Sequence, residues 1–250
     1  MLAKRIIPVI LHKHGQMVKG RGFKANRIIG QALQAASIQA EREVDELLIL
    51  DVTATTEGRE PDYDLVRKLS KEYFCPLTVG GGIKTSEHVR KLLLSGADKV
   101  CIGSAAFDNP VIVAELSSRY GSQCITVSVD VLPSGRPARR YAEGFMDDHF
   151  SAACYAEELA NMGAGEILLQ SIERDGTMQG YDLGLIKAVT QAVNIPVIAS
   201  GGCGSYQHMK EAIEAGADAV AAGALWSFTD CTPSGAAKYL AEHNIEVRRI

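Results

Sequence analysis

Short apolar, β-prone runs alternate along this chain with longer stretches whose apolar positions recur at helical spacing. The runs predict strands at residues 5–11, 47–52, 76–79, 99–102, 125–130, 167–171, 197–200 and 219–222. LLILDV, ITVSVD and PVIAS are apolar on both faces of the pleat, as strands covered on both sides of a parallel sheet are. The stretches between, DYDLVRKLSKEYF, TSEHVRKLLLSG, NPVIVAELSSRYG, SAACYAEELANMG, YDLGLIKAVTQAV and SYQHMKEAIEAG, predict amphipathic helices. Asp62, Ser86, Asn109, Ser151, Asp182 and Ser205 stand at N-cap positions, and Gly96, Gly121, Gly163 and Gly216 mark C-terminal ends. Repeated strand–helix units predict a parallel sheet, and eight of them predict its closure into a (β/α)8 barrel. The 250 residues suit one such barrel, so residues 1–250 read as one domain.

The chain also repeats itself. LTVGGGI from Leu77 matches VIASGGC from Val197, and SGADKVCIGSAAF from Ser95 matches AGADAVAAGALWSF from Ala215. LLILDVTATTEG from Leu47 aligns more loosely with ILLQSIERDG from Ile167. Each offset is about 120 residues, which predicts two similar half-barrels. Two long stretches without element signals follow the first and fifth strands, at residues 12–29 and 131–149. Both fall at the C-terminal face, where barrel sites are built, and read as binding loops.

Glycines end equivalent strands in both halves. Gly80-Gly81-Gly82 and Gly201-Gly202 let backbone N–H groups approach an anion with no Cβ in the way. After the next strand of each half, Gly103-Ser104 and Gly223-Ala224 open a short helical turn with free N–H groups. Paired clusters of this kind predict a ligand phosphorylated at both ends. Tight turns alone are the alternative.

Composition narrows the class. Hydrophobic residues make up 46% and charged residues 22%, as in a soluble enzyme. A net charge of −4 gives no basic field for nucleic acid, and no apolar run is long enough to span a bilayer. Pro8 interrupts the apolar start and no small-residue cleavage site follows, which argues against a signal peptide. Cys75, Cys101, Cys124, Cys154, Cys203 and Cys231 form no CxxC pair or other metal-ligand spacing, so we expect reduced cytoplasmic thiols, with no metal and no cofactor. Trp226 and Cys203 read as packing residues, and Arg248-Arg249 as a solvated end.

ILLQSIERDGTMQGYD at residues 167–182, with NIPVIASGG, PLTVGGGI and the MLAKRIIP start, closely resembles the cyclase subunit of imidazole glycerol phosphate synthase. The likeness runs over essentially the whole chain. It implies a heterodimer with a glutaminase subunit, whose ammonia enters the bottom of the barrel, crosses its core and reacts at the top. There the family converts a bis-phosphorylated ribulosyl aminoimidazole to imidazole glycerol phosphate and an aminoimidazole carboxamide ribotide. Asp130 matches one of the family's two acid–base aspartates, and Lys19, Asp175, Gly176 and Ser200 match other site positions. Arg5, Glu46, Lys99 and Glu166 match the ring of charges that gates the ammonia entrance, and Asp98 matches the glutaminase-docking face. A salt-bridge plug that merely closes the barrel is the other reading of that ring.

The chain departs from the family at the top. Leu11 stands where the second aspartate belongs, and leucine neither donates nor accepts a proton, whereas a positioned acid–base group contributes about 10²- to 10⁴-fold. Alternation along the strand turns His12 away from the interior, leaving His14 as the one histidine able to reach in from the loop. Gln170 replaces a threonine, Gly103 an asparagine and Ala224 a serine, and the fifth loop reads AEGFMDDHF instead of the family's basic stretch. Phosphate contacts at Gly81, Gly82, Gly103, Ser104, Gly176, Gly201, Gly202, Gly223 and Ala224 are expected to persist, with Gln170 and Ser200 facing an altered substrate. Three functions follow. One is an ammonia-handling subunit with another acceptor, as in family paralogs found beside a third protein, a sugar amidotransferase of surface-polysaccharide synthesis. The others are an authentic cyclase of histidine biosynthesis and a non-catalytic activator of a glutaminase.

Overall fold

The structure, a computed structural model, describes residues 3–42, 44–138 and 151–248. In chain order the elements are β1 (Arg5–Lys13), β2 (Gln16–Arg21), β3 (Lys24–Gln31), α1 (Ala32–Glu41), β4 (Leu47–Asp51), α2 (Tyr63–Glu72), β5 (Leu77–Gly80), α3 (Ser86–Leu94), β6 (Lys99–Ile102), α4 (Ser104–Asp108) and α5 (Val111–Tyr120). There follow β7 (Ile125–Val131), α6 (Ala152–Asn161), β8 (Glu166–Ser171), α7 (Leu183–Ala192), β9 (Val197–Ser200), α8 (Tyr206–Glu214), β10 (Ala219–Ala222), α9 (Ala224–Phe228) and α10 (Pro233–Glu242). Strands β1, β4, β5, β6, β7, β8, β9 and β10 pair in that order, all parallel, and β10 returns to β1 from Arg5↔Ala219 to Pro8↔Ala222. This is the closed (β/α)8 barrel expected from the alternation. Among the described residues no helix is long and apolar enough to cross a membrane.

Closure explains why the strands are apolar on both faces. Ile7, Val9, Leu48, Cys101, Leu168, Ile198, Ala219 and Ala221 fill the inside of the barrel. Their strand neighbours Ile6, Ile10, Leu47, Ile49, Ile167 and Leu169 point outward into the larger core under the helices.

Hydrogen bonds recur at the spacing of the sequence repeat. Asp62 caps α2 through the Leu65 N–H at 2.9 Å and Asp182 caps α7 through the Leu185 N–H at 3.0 Å. Asp98 accepts from the Leu77 N–H at 2.8 Å and Asp218 from the Val197 N–H at 3.1 Å. The hydroxyls of Ser70 and Thr190 donate to the carbonyls of Ser95 and Ala215.

The structure corrects three expectations. Residues 12–29 are no loop: β1 continues to Lys13, and β2 and β3 form an antiparallel hairpin on its end. Two-residue turns with left-handed backbone, His14-Gly15 and Gly22-Phe23, set its register, because such turns match the twist of the strands they join. The α3 cap is Thr85, not Ser86, with its hydroxyl taking the His88 N–H at 3.3 Å, as Ser205 takes that of His208. Helix α5 starts at Val111 after Pro110, and the Asn109 side chain caps nothing. In the fifth loop, Val131 bridges to Pro137 and the Ala138 N–H returns to the Asp130 carbonyl at 2.7 Å, a tight turn. The AEGFMDDHF segment, Met1, Leu2 and Arg249 lie outside the described residues.

Gly165 joins α6 to β8 where a Cβ would run into the Ser122 carbonyl oxygen. Gly165→Ala is therefore expected to lower stability by about 2 kcal/mol, the scale of overpacking a tight contact. Urea unfolding measures it, and a midpoint equal to wild type would show that the Ser122 turn yields freely.

Candidate functional site

The C-terminal strand ends surround a cleft of about 1230 Å³, counting its open mouth. Lys19, Gly81, Gly103, Ser104, Asp130, Gln170, Asp175, Gly176, Ser200, Gly201, Gly202, Gly223 and Ala224 all line it. Gly82 instead lines an adjoining depression with Gly81, Lys84, Gly103 and Ser104. Gly81 and Gly82 have φ of 103° and 73°, their counterparts Gly201 and Gly202 of 92° and 103°, a backbone that side chains resist. The short helices α4 and α9 begin directly after Gly103 and Gly223, as expected.

The walls of the cleft differ in chemistry. Asp130, Gln170 and Ser200 sit side by side on β7, β8 and β9 in register. Ser128 donates to the Asp130 carboxylate at 2.7 Å, and Ser200 donates to the Gln170 side-chain oxygen at 3.1 Å. On β1, four strands from β7 around the ring, Val9 and Leu11 present only hydrocarbon, as does Leu50 on the neighbouring β4. Leu11 thus faces Asp130 across the mouth. His12 is buried outside the cleft, as alternation implied, with Nδ1 accepting the Gly15 N–H at 3.4 Å, and burial holds its pKa below the ordinary value. His14 does not reach in either: its exposed ring meets Glu57 at 3.1 Å on the outer side.

Lys19 comes from the hairpin. Its strand β2 folds over the mouth, and Nζ donates to the Val9 carbonyl at 3.4 Å. A Cβ on Gly223 would meet that ammonium, so a larger residue there would displace the Lys19 side chain. The hairpin is fastened to the β8–α7 loop: the Gly22 N–H donates to the Asp175 carbonyl at 3.0 Å, and Gly176 abuts the Gly20 carbonyl. Burial pushes the Lys19 pKa down to about 8, against the attraction of Asp175. Burial likewise raises Asp175, opposed by the Phe23 N–H and Lys19.

Some cleft residues escaped sequence reasoning. Ser128 is the inward position two before Asp130, a signal alternation offered. Asp51 ends β4 as Asp130 ends its run in β7, but its oxygens are committed to the Thr53 and Ala54 N–H groups and to Arg59 at 3.0 Å. Despite burial, Arg59 holds that carboxyl below its usual range. Phe23 and Thr55 complete the rim. Cys203 and Trp226 are buried packing residues, and burial takes the Cys203 thiol up to about 12.

At the opposite end, four charges close on one another. Arg5 reaches Glu46 at 2.8 Å and Glu166 at 2.7 Å, and Lys99 reaches the same two at 3.1 and 2.9 Å. Thr78 adds a hydroxyl donor to Glu46 at 2.6 Å. Burial works against the Arg5 charge, but Glu166 and Glu46 outweigh it and raise its pKa. The ring is neutral and saturated. Asp98 is exposed beside it, although the Leu77 N–H occupies one of its oxygens.

Two outcomes follow. Glu46→Leu leaves Arg5 and Lys99 sharing Glu166 alone, so a stability loss of about 3 kcal/mol is expected in urea unfolding, with much of it regained in Glu46→Leu/Lys99→Leu. No recovery in the double variant would assign the loss to packing. For Lys19, the folded pKa lies below the unfolded one, so the unfolded chain binds more protons between about pH 8 and 10.5. Wild type should therefore gain roughly 3 kcal/mol relative to Lys19→Met as pH rises through that window. Parallel stability curves for the two proteins would show that Lys19 titrates normally.

The comparisons agree with this geometry. The family described as "Histidine biosynthesis protein" matches residues 5–230. The imidazole glycerol phosphate synthase subunit HisF of Endomicrobium trichonymphae is 42% identical over 252 residues, covering 100% of this chain and 97% of that protein. With the barrel closed and the cleft at its C-terminal face, this chain belongs to the histidine biosynthesis protein family, as a HisF-like subunit of the imidazole glycerol phosphate synthase type.

Proposed function

We propose that this chain, one barrel domain over residues 1–250 working in the cytoplasm, receives ammonia from a glutaminase subunit and delivers it to an acceptor other than the family's. The carrying observation is Leu11 opposite Asp130, which leaves the two-aspartate acid–base arrangement with one member. Arg5, Glu46, Lys99 and Glu166 stand where ammonia would enter, and the ring is neutral, so it can part without stranding a charge. Above it the barrel is lined by Ile7, Leu48, Leu168 and Ile198, which favours neutral ammonia over ammonium. At the top, the paired glycine clusters and α4 and α9 suit a phosphorylated small molecule. Asp130, Lys19 and Asp175 are the candidate proton-transfer and orienting groups, with Gln170 and Ser200 against the substrate. A third protein of the sugar amidotransferase kind fits the altered acceptor.

A second reading, the authentic cyclase of histidine biosynthesis, has a specific observation in its favour: full-length similarity at 42% identity, with Asp130, Lys19, Asp175 and Ser200 in the cleft. Complementation separates the two. In a strain lacking its own cyclase subunit, we expect no growth without histidine and no ammonia-dependent turnover of the histidine-pathway substrate. Leu11→Asp should restore little, because Gln170 and Gly103 still change the mouth. Growth with the wild-type chain at normal expression would establish the second reading.

A further inference from the structure

One side of the cleft offers a ligand almost nothing but hydrocarbon. From β10 through β1 and β4 to β6, the strands present Ala222, Val9, Leu11, Leu50 and Cys101 to the opening, and β5 between them ends in Gly80. Burial pushes the Cys101 pKa up, so its thiol stays neutral. Leu11 and Leu50 are half-buried, which leaves part of each side chain facing the open cleft. Asp51 and Thr55 line the same side, but their oxygens are engaged. Asp51 holds Thr53, Ala54 and Arg59, and Thr55 takes the Gly82 N–H at 3.3 Å. A hydroxyl pressed against this wall would give up its water and find no partner, whereas a C–H surface would gain by leaving water.

The cation of the cleft stands against that wall. Lys19 is buried, and its Nζ lies beside Gly223 while donating to the Val9 carbonyl at 3.4 Å. Among the described residues no carboxylate pairs with it at ion-pair distance, and Asp175 attracts it only from farther off. A buried ammonium held by one long bond is poorly compensated, and an anion supplies what is missing. Val9 and Leu11 are inward positions two apart on β1, so the carbons attached to an anion at Lys19 come to lie beside their side chains. The far wall is the reverse in chemistry. Ser128, Asp130, Gln170 and Ser200 all make hydrogen bonds, and with the Gln170 oxygen taken by Ser200, the NH2 is what that amide offers a ligand.

We propose that the cleft selects a phosphate ester whose carbon skeleton is poor in hydroxyls next to the phosphate, an aryl or deoxygenated alkyl group, and that Leu11 and Leu50 impose the choice. This rests on the phosphorylated ligand proposed above and adds its class. A ribulosyl chain, as in the family's substrate, is rich in hydroxyls, and Leu11 stands where the resemblance implies a carboxylate to accept from them. The hydrogen-bonding groups of the ligand belong at its other edge, toward Asp130 and Gln170.

Calorimetry on the full chain with inorganic phosphate, phenyl phosphate and ribose 5-phosphate tests the wall. Wild type is expected to bind phenyl phosphate about tenfold or more tightly than ribose 5-phosphate. In Leu11→Asn that preference should shrink to about twofold or less, while the Kd for inorganic phosphate stays within about twofold of wild type. Leu50→Asn should act in the same way, so one variant that fails to fold does not decide the matter. Lys19→Met should weaken all three probes. Phenyl phosphate binding that survives Lys19→Met is binding elsewhere and overturns the proposal. If inorganic phosphate binds but wild type shows no preference for phenyl phosphate, or if both asparagine variants keep it, the wall does not select and the phosphorylated-ligand reading stands without it. If none of the three probes binds, that reading fails and the proposal with it.

Discussion

Pairing of β1 with β10 closes the sheet, and closure assigns every strand residue to the inside or the outside of a ring. The inside is small, so each level along the axis holds a few side chains whose characters must suit one another. At the bottom that level is ionic and mutually satisfied by Arg5, Glu46, Lys99 and Glu166. In the middle it is hydrocarbon, with Ile7, Leu48, Leu168 and Ile198. At the top it opens into a cleft where β7, β8 and β9 present Ser128, Asp130, Gln170 and Ser200, and the hairpin adds Lys19. Charges at the bottom are tolerable because they are paired, and an isolated one in the middle would not be.

Much of this was readable beforehand, for definite reasons. Strands covered on both faces need uninterrupted apolar runs, and LLILDV or ITVSVD can hardly be anything else in a chain of this periodicity. Cap positions Asp62, Ser151, Asp182 and Ser205 announced their helices because short oxygen-bearing side chains satisfy free N–H groups. The hairpin of β2 and β3 was missed because QMVKGR alternates too briefly to stand out, and the His14-Gly15 turn resembles loop punctuation. Phe74 looked like one more apolar position of a helical repeat. Only the end of α2 at Glu72 throws it off the core and into water. The partners of Asp51 could not be foreseen, since Arg59 reaches it from a turn whose course no local pattern dictates.

The two halves have drifted apart in opposite senses at the two ends. At the inner wall of the mouth, β1, β4 and β6 of the first half present Val9, Leu11, Leu50 and Cys101, while β7, β8 and β9 of the second present Ser128, Asp130, Gln170 and Ser200. At the bottom, the first half carries the exposed phenyl ring and the second carries Asn194. The scaffold bonds meanwhile stay matched, from Asp98 and Asp218 to Ser70 and Thr190.

Those matched bonds are also short-range: Asp62 to Leu65, Thr85 to His88 and Leu77 to Asp98 all close within one half, as do their counterparts. The halves meet along two strand seams, β6 against β7 and β10 against β1, and also through the Arg5 and Lys99 pairs with Glu166 and the Gly22–Asp175 bond. Each half is thus a module that completes its own turns before it needs its neighbour. A chain opened at the crossing near Gly121, with its original ends joined, would keep every one of these local closures.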